Sequence, residues 1–233
     1  MLRTPLKHAF VALCLGAIAA CSTVETAHAE GPLIDPEDTL FLMVDHQTGL
    51  LQAVGDIPQT ELRANVSALA QAATYFGIPT IATSSVPTGP NGPLIPEIEA
   101  GAPSLTYIPR DGEINAWDNT AFKEAVEASG KKTLVISGVL TSVCVAFPAL
   151  SALEEGYTVY AVIDASGDYS EMASRATMEQ LAADGVHVTT TFAVLSQIHK
   201  KWTPENAQRM SEIYRFVSPG YGAVMESYYA PRQ

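Results

Sequence analysis

The chain has 233 residues, a formal net charge of −12, 47% hydrophobic residues and 16% charged ones. That length and hydrophobic content suffice for one well-buried domain and exclude a disordered chain. The acidic balance argues against nucleic acid or an anionic membrane surface as partner, since both demand basic patches.

The first thirty residues read as a targeting segment. Arg3 and Lys7 precede an apolar run, Ala9 to Ala20, that is too short to span a bilayer comfortably. Ala27-His-Ala29 fits signal peptidase, giving a signal peptide of residues 1–29 and a mature domain of 30–233. Ile18-Ala-Ala-Cys21 fits the lipobox of bacterial lipoproteins instead, with residues 1–20 removed and Cys21 acylated. Both exits predict an exported protein, periplasmic or secreted, and only the second gives it a membrane attachment. Cys14 and Cys21 lie in this segment, so Cys144 is the one thiol expected in the folded domain, and no internal disulfide can form.

After Pro36, Thr39–Val44 is a near-continuous apolar run ending in Asp45, as expected of a buried strand. Thr60 to Phe76 has apolar residues at helical spacing and is closed by Gly77; Pro79–Ser84 is a second strand. Residues 85–119 are rich in Pro, Gly and Asn, and so long a loop-rich insert points to function. Thr120–Ser129 is a short helix, and Thr133–Ser137 a strand followed by the turn Gly138–Ser142. Val143–Glu155 is an apolar helix with Cys144 in its first turn, where the helix dipole would favour the thiolate. Thr158–Ile163 is a strand ending in Asp164, Ser170–Ala183 a helix, and Val186–Thr190 the last strand. Val194–His199 and Pro204–Tyr214 are helical behind it, and the apolar tail from Tyr221 is expected to pack on the body or on a neighbour. Strands alternating with helices predict a single α/β domain with a parallel sheet covered on both faces.

In such a sheet the carboxyl ends of the strands share one rim, where ligands bind. Asp45, Arg110 in the Tyr107–Arg110 segment, and Cys144 all stand at or near those ends. Together they make chemical sense. A carboxylate can accept the thiol proton, an arginine can keep that carboxylate ionised, and amides of the 139–144 turn can face an oxyanion. Asp164 occupies the same kind of position as Asp45, so the placement of either one is unspecific. A buried structural cysteine is the plain alternative for Cys144.

Four segments resemble the isochorismatase-like cysteine hydrolases, within them the YcaC-related branch: Val44–Gln47, Gly89–Leu94, Ile114–Asn119 and Gly138–Leu153. The resemblance extends from Asp38 to near Tyr229 and implies a Rossmann-like three-layer sandwich with a six-stranded parallel sheet. It also implies a catalytic triad of Cys144 as nucleophile, Asp45 as base and Arg110 as cationic support. The nucleophile loop would use Leu140, Thr141 and Val143, with a cis peptide at Leu140–Thr141. Most of the superfamily carries lysine where Arg110 stands; arginine does not release a proton near neutral pH, so it is expected to act only electrostatically. Metal-binding relatives hold an Asp-x-His-x-x-His pattern, and residues 84–96 here contain neither Asp nor His, so no metal and no cofactor are expected.

Gln47, Asn115 and Trp117 are the candidate substrate contacts. The expected activity is hydrolysis of an amide, ester or carbamoyl-type bond in a small molecule through a Cys144 thioester, with non-peptide C–N bonds as the expected targets, by a homo-oligomer. Cys144→Ser and Asp45→Asn are expected to abolish turnover with stability nearly intact. The alternatives are a non-catalytic binder of a small molecule on the same fold and a redox-active thiol protein.

Overall fold

A computed structural model describes residues 33–229, so the targeting segment expected at the N-terminus lies outside the described residues. Six parallel strands form one sheet in the order β3-β2-β1-β4-β5-β6. They are β1 (Thr39–Val44), β2 (Thr80–Ser85), β3 (Thr106–Arg110), β4 (Thr133–Gly138), β5 (Thr158–Val162) and β6 (His187–Thr189). Every residue of β1 is buried, because it is central and both of its faces are covered. Phe41 and Met43 point to one face, and Leu40, Leu42 and Val44 to the other.

The first face packs against α1 (Gln59–Phe76), α2 (Pro96–Gly101) and α6 (Thr191–His199) through Leu62, Val66, Leu69, Ile98, Val194 and Ile198. The second packs against α3 (Thr120–Ala128), α4 (Ala146–Glu154) and α5 (Glu171–Asp184) through Phe122, Val126, Ala149, Ala152 and Leu181. Two more helices, α7 (Pro204–Val217) and α8 (Pro219–Tyr229), continue the chain; Met210, Ile213 and Tyr214 of α7 join Ala68 and Ala72 of α1 in a third cluster. Tyr221 of the tail stacks on Trp202, with ring centroids 6.0 Å apart.

The helix ends follow local chemistry. Gly77 closes α1 in the left-handed conformation at φ 67°, which glycine adopts without steric cost. Asn119 and Ser170 cap α3 and α5 by accepting from Phe122 and Ala173 backbone amides.

Two stretches differ from the sequence expectation. The 85–119 insert is not all loop: it contains α2 and the edge strand β3. Pro109 is tolerated there because the outer side of β3 pairs with no described strand. The helix expected over Val143–Glu155 begins instead as a five-residue π-helical turn, Thr141–Val145, and becomes α-helical at Ala146.

The strand order places the reversal of winding between β1 and β4: the chain proceeds outward to β3 on one side and to β6 on the other. The crevice above the carboxyl ends at such a reversal is where open α/β sheets bind ligands. Asp45 directly follows β1, and the Cys144 turn follows β4.

Candidate active site

Asp45 is fully buried and takes the left-handed conformation at φ 57°, an uncommon one for a non-glycine residue that aspartate tolerates better than most. Its amide donates to Thr83 O at 2.9 Å, prolonging the β1–β2 ladder by one bond. The backbone then turns, and the carboxylate meets Arg110 at the end of β3. Arg110 is also buried; its Nη2 reaches both Asp45 oxygens, Oδ1 at 2.5 Å. Nε donates to Thr83 Oγ1 at 3.0 Å, and Nη1 donates to the Glu113 carbonyl. Arg110 is thus fixed on three sides, by one charge and two neutral acceptors.

Cys144 is the one free cysteine among the described residues and is nearly buried. Burial pushes its thiol well above the ordinary range, and the charge of Asp45 and a hydrogen bond to it push the same way. A hydrogen bond from the Leu140 backbone and the charge of Arg110 oppose the shift without cancelling it. The helix-dipole expectation of a ready thiolate is therefore corrected: desolvation outweighs the dipole, and the resting group is a thiol joined to a carboxylate.

The turn that carries Cys144 is heavily bonded. Thr141 N donates to Gly167 O at 2.9 Å, Val143 N to Leu140 O at 3.2 Å and Cys144 N to Leu140 O at 2.8 Å. Ser142 N and Oγ both donate to the buried Asp168 carboxylate, at 2.8 and 3.1 Å. Of the three residues expected to present amides, only Leu140 directs one toward the sulfur; those of Thr141 and Val143 are engaged with backbone carbonyls. The cis peptide is Val139–Leu140, one bond earlier than expected, directly where the strand ends at Gly138.

A cavity of about 190 Å³ opens onto Asp45 and Cys144. Leu50, Val139, Leu140, Val143 and Ile114 supply its aliphatic walls, and Ser85, Asn91 and Glu113 its other polar groups. Larger cavities elsewhere, such as the one of about 350 Å³ between Pro93 and Tyr107, contain neither Asp45 nor Cys144.

None of the three expected substrate contacts lines the pocket. Gln47 has no exposed surface and clamps the neighbouring loop: Nε2 donates to Ser85 O at 3.0 Å and to Gly92 O at 2.5 Å, and Oε1 accepts from Ser85 N at 2.9 Å. Asn115 accepts from Trp117 N and donates to Ser151 Oγ, both at 3.0 Å. Trp117 packs edge-on against Phe122 and Tyr157 in the core, its Nε1 on Glu155 Oε1 at 3.0 Å. The sequence reading missed Thr83, Glu113 and Asp168. Thr83 is one of several hydroxyl residues in the buried strand β2, and Asp168 follows no periodic pattern; only their partners distant in sequence reveal them.

The expectation that Asp45→Asn spares stability is also corrected. The ion pair is buried, so removing the carboxylate leaves a guanidinium without its counter-charge. Among the described residues, no group of three or more His, Cys, Asp or Glu could hold a metal ion.

Comparison with known proteins gives consistent results. The model of the isochorismatase domain matches residues 39–192. The probable hydrolase YcaC of Escherichia coli is 46% identical over 195 residues, covering 84% of this chain and 93% of that protein. Its crystal structure, described as an octameric hydrolase of unknown specificity, aligns with a TM-score of 0.79 over 84% of this chain and 95% of the other. YcaC from Pseudomonas aeruginosa, solved with hexane-2,5-diol and covalent acrylamide, is 44% identical, with a TM-score of 0.80 over 84% and 96% of the two chains.

Proposed function

This chain belongs to the isochorismatase family and is a hydrolase, and we propose that it acts through Cys144 as nucleophile on a small molecule with an amide, ester or carbamoyl-type bond. The observation that carries the reading is the continuous chain of contacts from the Cys144 thiol to Asp45 to Arg110 at the floor of a solvent-accessible pocket.

Asp45 accepts the thiol proton as the sulfur attacks the acyl carbon, so thiolate character develops only with substrate in place. Arg110 remains charged throughout and offsets the carboxylate before the proton moves. The Leu140 amide, hydrogen-bonded to sulfur in the resting state, is the donor nearest the developing oxyanion. Collapse expels an amine or alcohol, which takes the proton from Asp45 and leaves a thioester on Cys144. Asp45 then deprotonates the water that releases the acid and restores the thiol. The covalent acrylamide in the Pseudomonas aeruginosa relative supports a pocket able to admit a small amide beside a nucleophile.

The octameric Escherichia coli relative supports a homo-oligomer here. The basic, apolar and small-residue pattern of residues 1–29 supports export, with a lipid anchor if Cys21 is the processed residue.

The test is a panel of short amides and esters assayed with the mature protein and with Cys144→Ala. Turnover by the wild type, an acyl adduct on Cys144 seen by rapid-quench mass spectrometry, and at least a thousand-fold loss in the variant are expected. Undiminished turnover in Cys144→Ala rules the mechanism out.

A further inference from the structure

The charges around the pocket bear on which substrates the Cys144 hydrolase proposed above can take. Asp45 stands at the floor and Glu113 is among the lining residues. One cation lies beneath them, and it is not available to a ligand. The Arg110 side chain has no exposed surface, and its three nitrogens donate to Asp45, the Glu113 carbonyl and Thr83. Turning it toward a substrate anion would break a buried ion pair. Glu113 holds its charge to lower pH than an ordinary glutamate, because its own backbone and the Asn119 side chain hydrogen-bond the carboxylate. Among the described residues, no lysine, arginine or histidine lines the cavity.

The rest of the lining is neutral. Leu50, Ile114, Val139 and Val143 are aliphatic, and Ser85 and Asn91 are uncharged. At about 190 Å³ the cavity is smaller than the roughly 300–1,000 Å³ pockets that take drug-sized ligands. We propose that this pocket selects an uncharged substrate with a short aliphatic acyl group and rejects carboxylates and phosphates through Glu113 and the unavailability of Arg110. This inference rests on the hydrolase reading for its chemistry, but the selectivity can be measured without turnover.

The experiment compares two alkylating agents of similar size, iodoacetamide and iodoacetate, on the mature protein at pH 7. Cys144 labelling is followed by mass spectrometry, and the rate ratio is divided by the same ratio for glutathione. A normalised ratio of at least tenfold in favour of the amide is expected, falling about threefold in Glu113→Gln. A ratio near one, or a preference for iodoacetate, overturns the proposal; the latter is the result if a neighbouring subunit supplies a cation. Binding of isobutyramide and isobutyrate to Cys144→Ser, followed by NMR, provides a readout without chemistry. The amide is expected to bind at least tenfold tighter, and equal affinity overturns the proposal. A retained preference in binding with no labelling of Cys144 by either reagent supports the charge selection and counts against the nucleophile.

Discussion

Asp45 and Asp164 show how little a single position in sequence reveals. Both follow a buried strand, yet Asp164 Oδ1 accepts from Thr191 N and Oγ1 at 2.6 and 2.8 Å and so serves the start of α6. Asp45 instead faces a guanidinium 65 residues away in sequence and a thiol on the turn that follows β4. Cys144, Asp45 and Arg110 stand out from the sequence only as a set, through their resemblance to a family. Gln47, Asn115 and Trp117 are engaged within the fold and do not line the pocket, because polar and aromatic residues in a loop can serve the loop's own backbone and the core beneath it. The two effects of Asp45 on Cys144 separate in Asp45→Asn. Turnover is expected to vanish with the proton acceptor, whereas iodoacetamide should label the thiol faster at pH 7, because the carboxylate no longer raises its pKa and Arg110 remains. The unpaired guanidinium should cost about 3–5 kcal/mol of stability. Denaturant melts and intact-mass labelling check this; slow labelling with stability unchanged would show that the pair is not coupled to the thiol.

At the level of elements, the alternation of strand and helix made the architecture readable, since buried parallel strands are continuous apolar runs bounded by turns. The edge strand β3 escaped because its surroundings are rich in proline and glycine and much of it is exposed. The π-helical turn escaped because its hydrogen bonds depend on Gly167 and Asp168, which lie on the following crossover. Asp168 accepts from Ser142 N, Ser142 Oγ and Tyr169 N, and is fully buried. It holds the turn that carries Cys144 without touching the thiol itself. Asp168→Ala should lower stability by about 1–3 kcal/mol, the cost of buried donors left unmatched. A misplacement of the turn by about 1 Å can cost on the order of a hundredfold in rate. The expected result is therefore a lower kcat with KM little changed, partly recovered in Asp168→Asn, whose carbonyl can still accept from Ser142 N. Steady-state kinetics beside a thermal melt tests it; lost stability with full kcat would leave Asp168 a purely structural role.

Over the whole molecule, the crevice is tied across the sheet by His46. Its Nε2 contacts Ala165 O at 2.9 Å, and burial lowers its pKa from 6.5 to about 4. The folded chain therefore resists protonating this ring where the unfolded chain accepts the proton, and stability should fall as pH drops from about 6.5 to 4. The contribution is at most about 3 kcal/mol. Denaturant melts from pH 7 to 4.5 should show a shallower decline in His46→Gln than in the wild type; equal slopes would assign the effect to other groups. A last consequence concerns the periphery of the sheet. Arg110 is the final residue of β3, which has β2 as its one neighbour in the sheet. Marginal strands fray before central ones, and subglobal openings cost less than global unfolding. Each fraying event would carry the guanidinium away from Asp45 while the remaining strands and the Cys144 turn stay folded. Heat should thus silence the enzyme reversibly several degrees below its melting transition, with amide hydrogen exchange in residues 106–110 accelerating over the same interval.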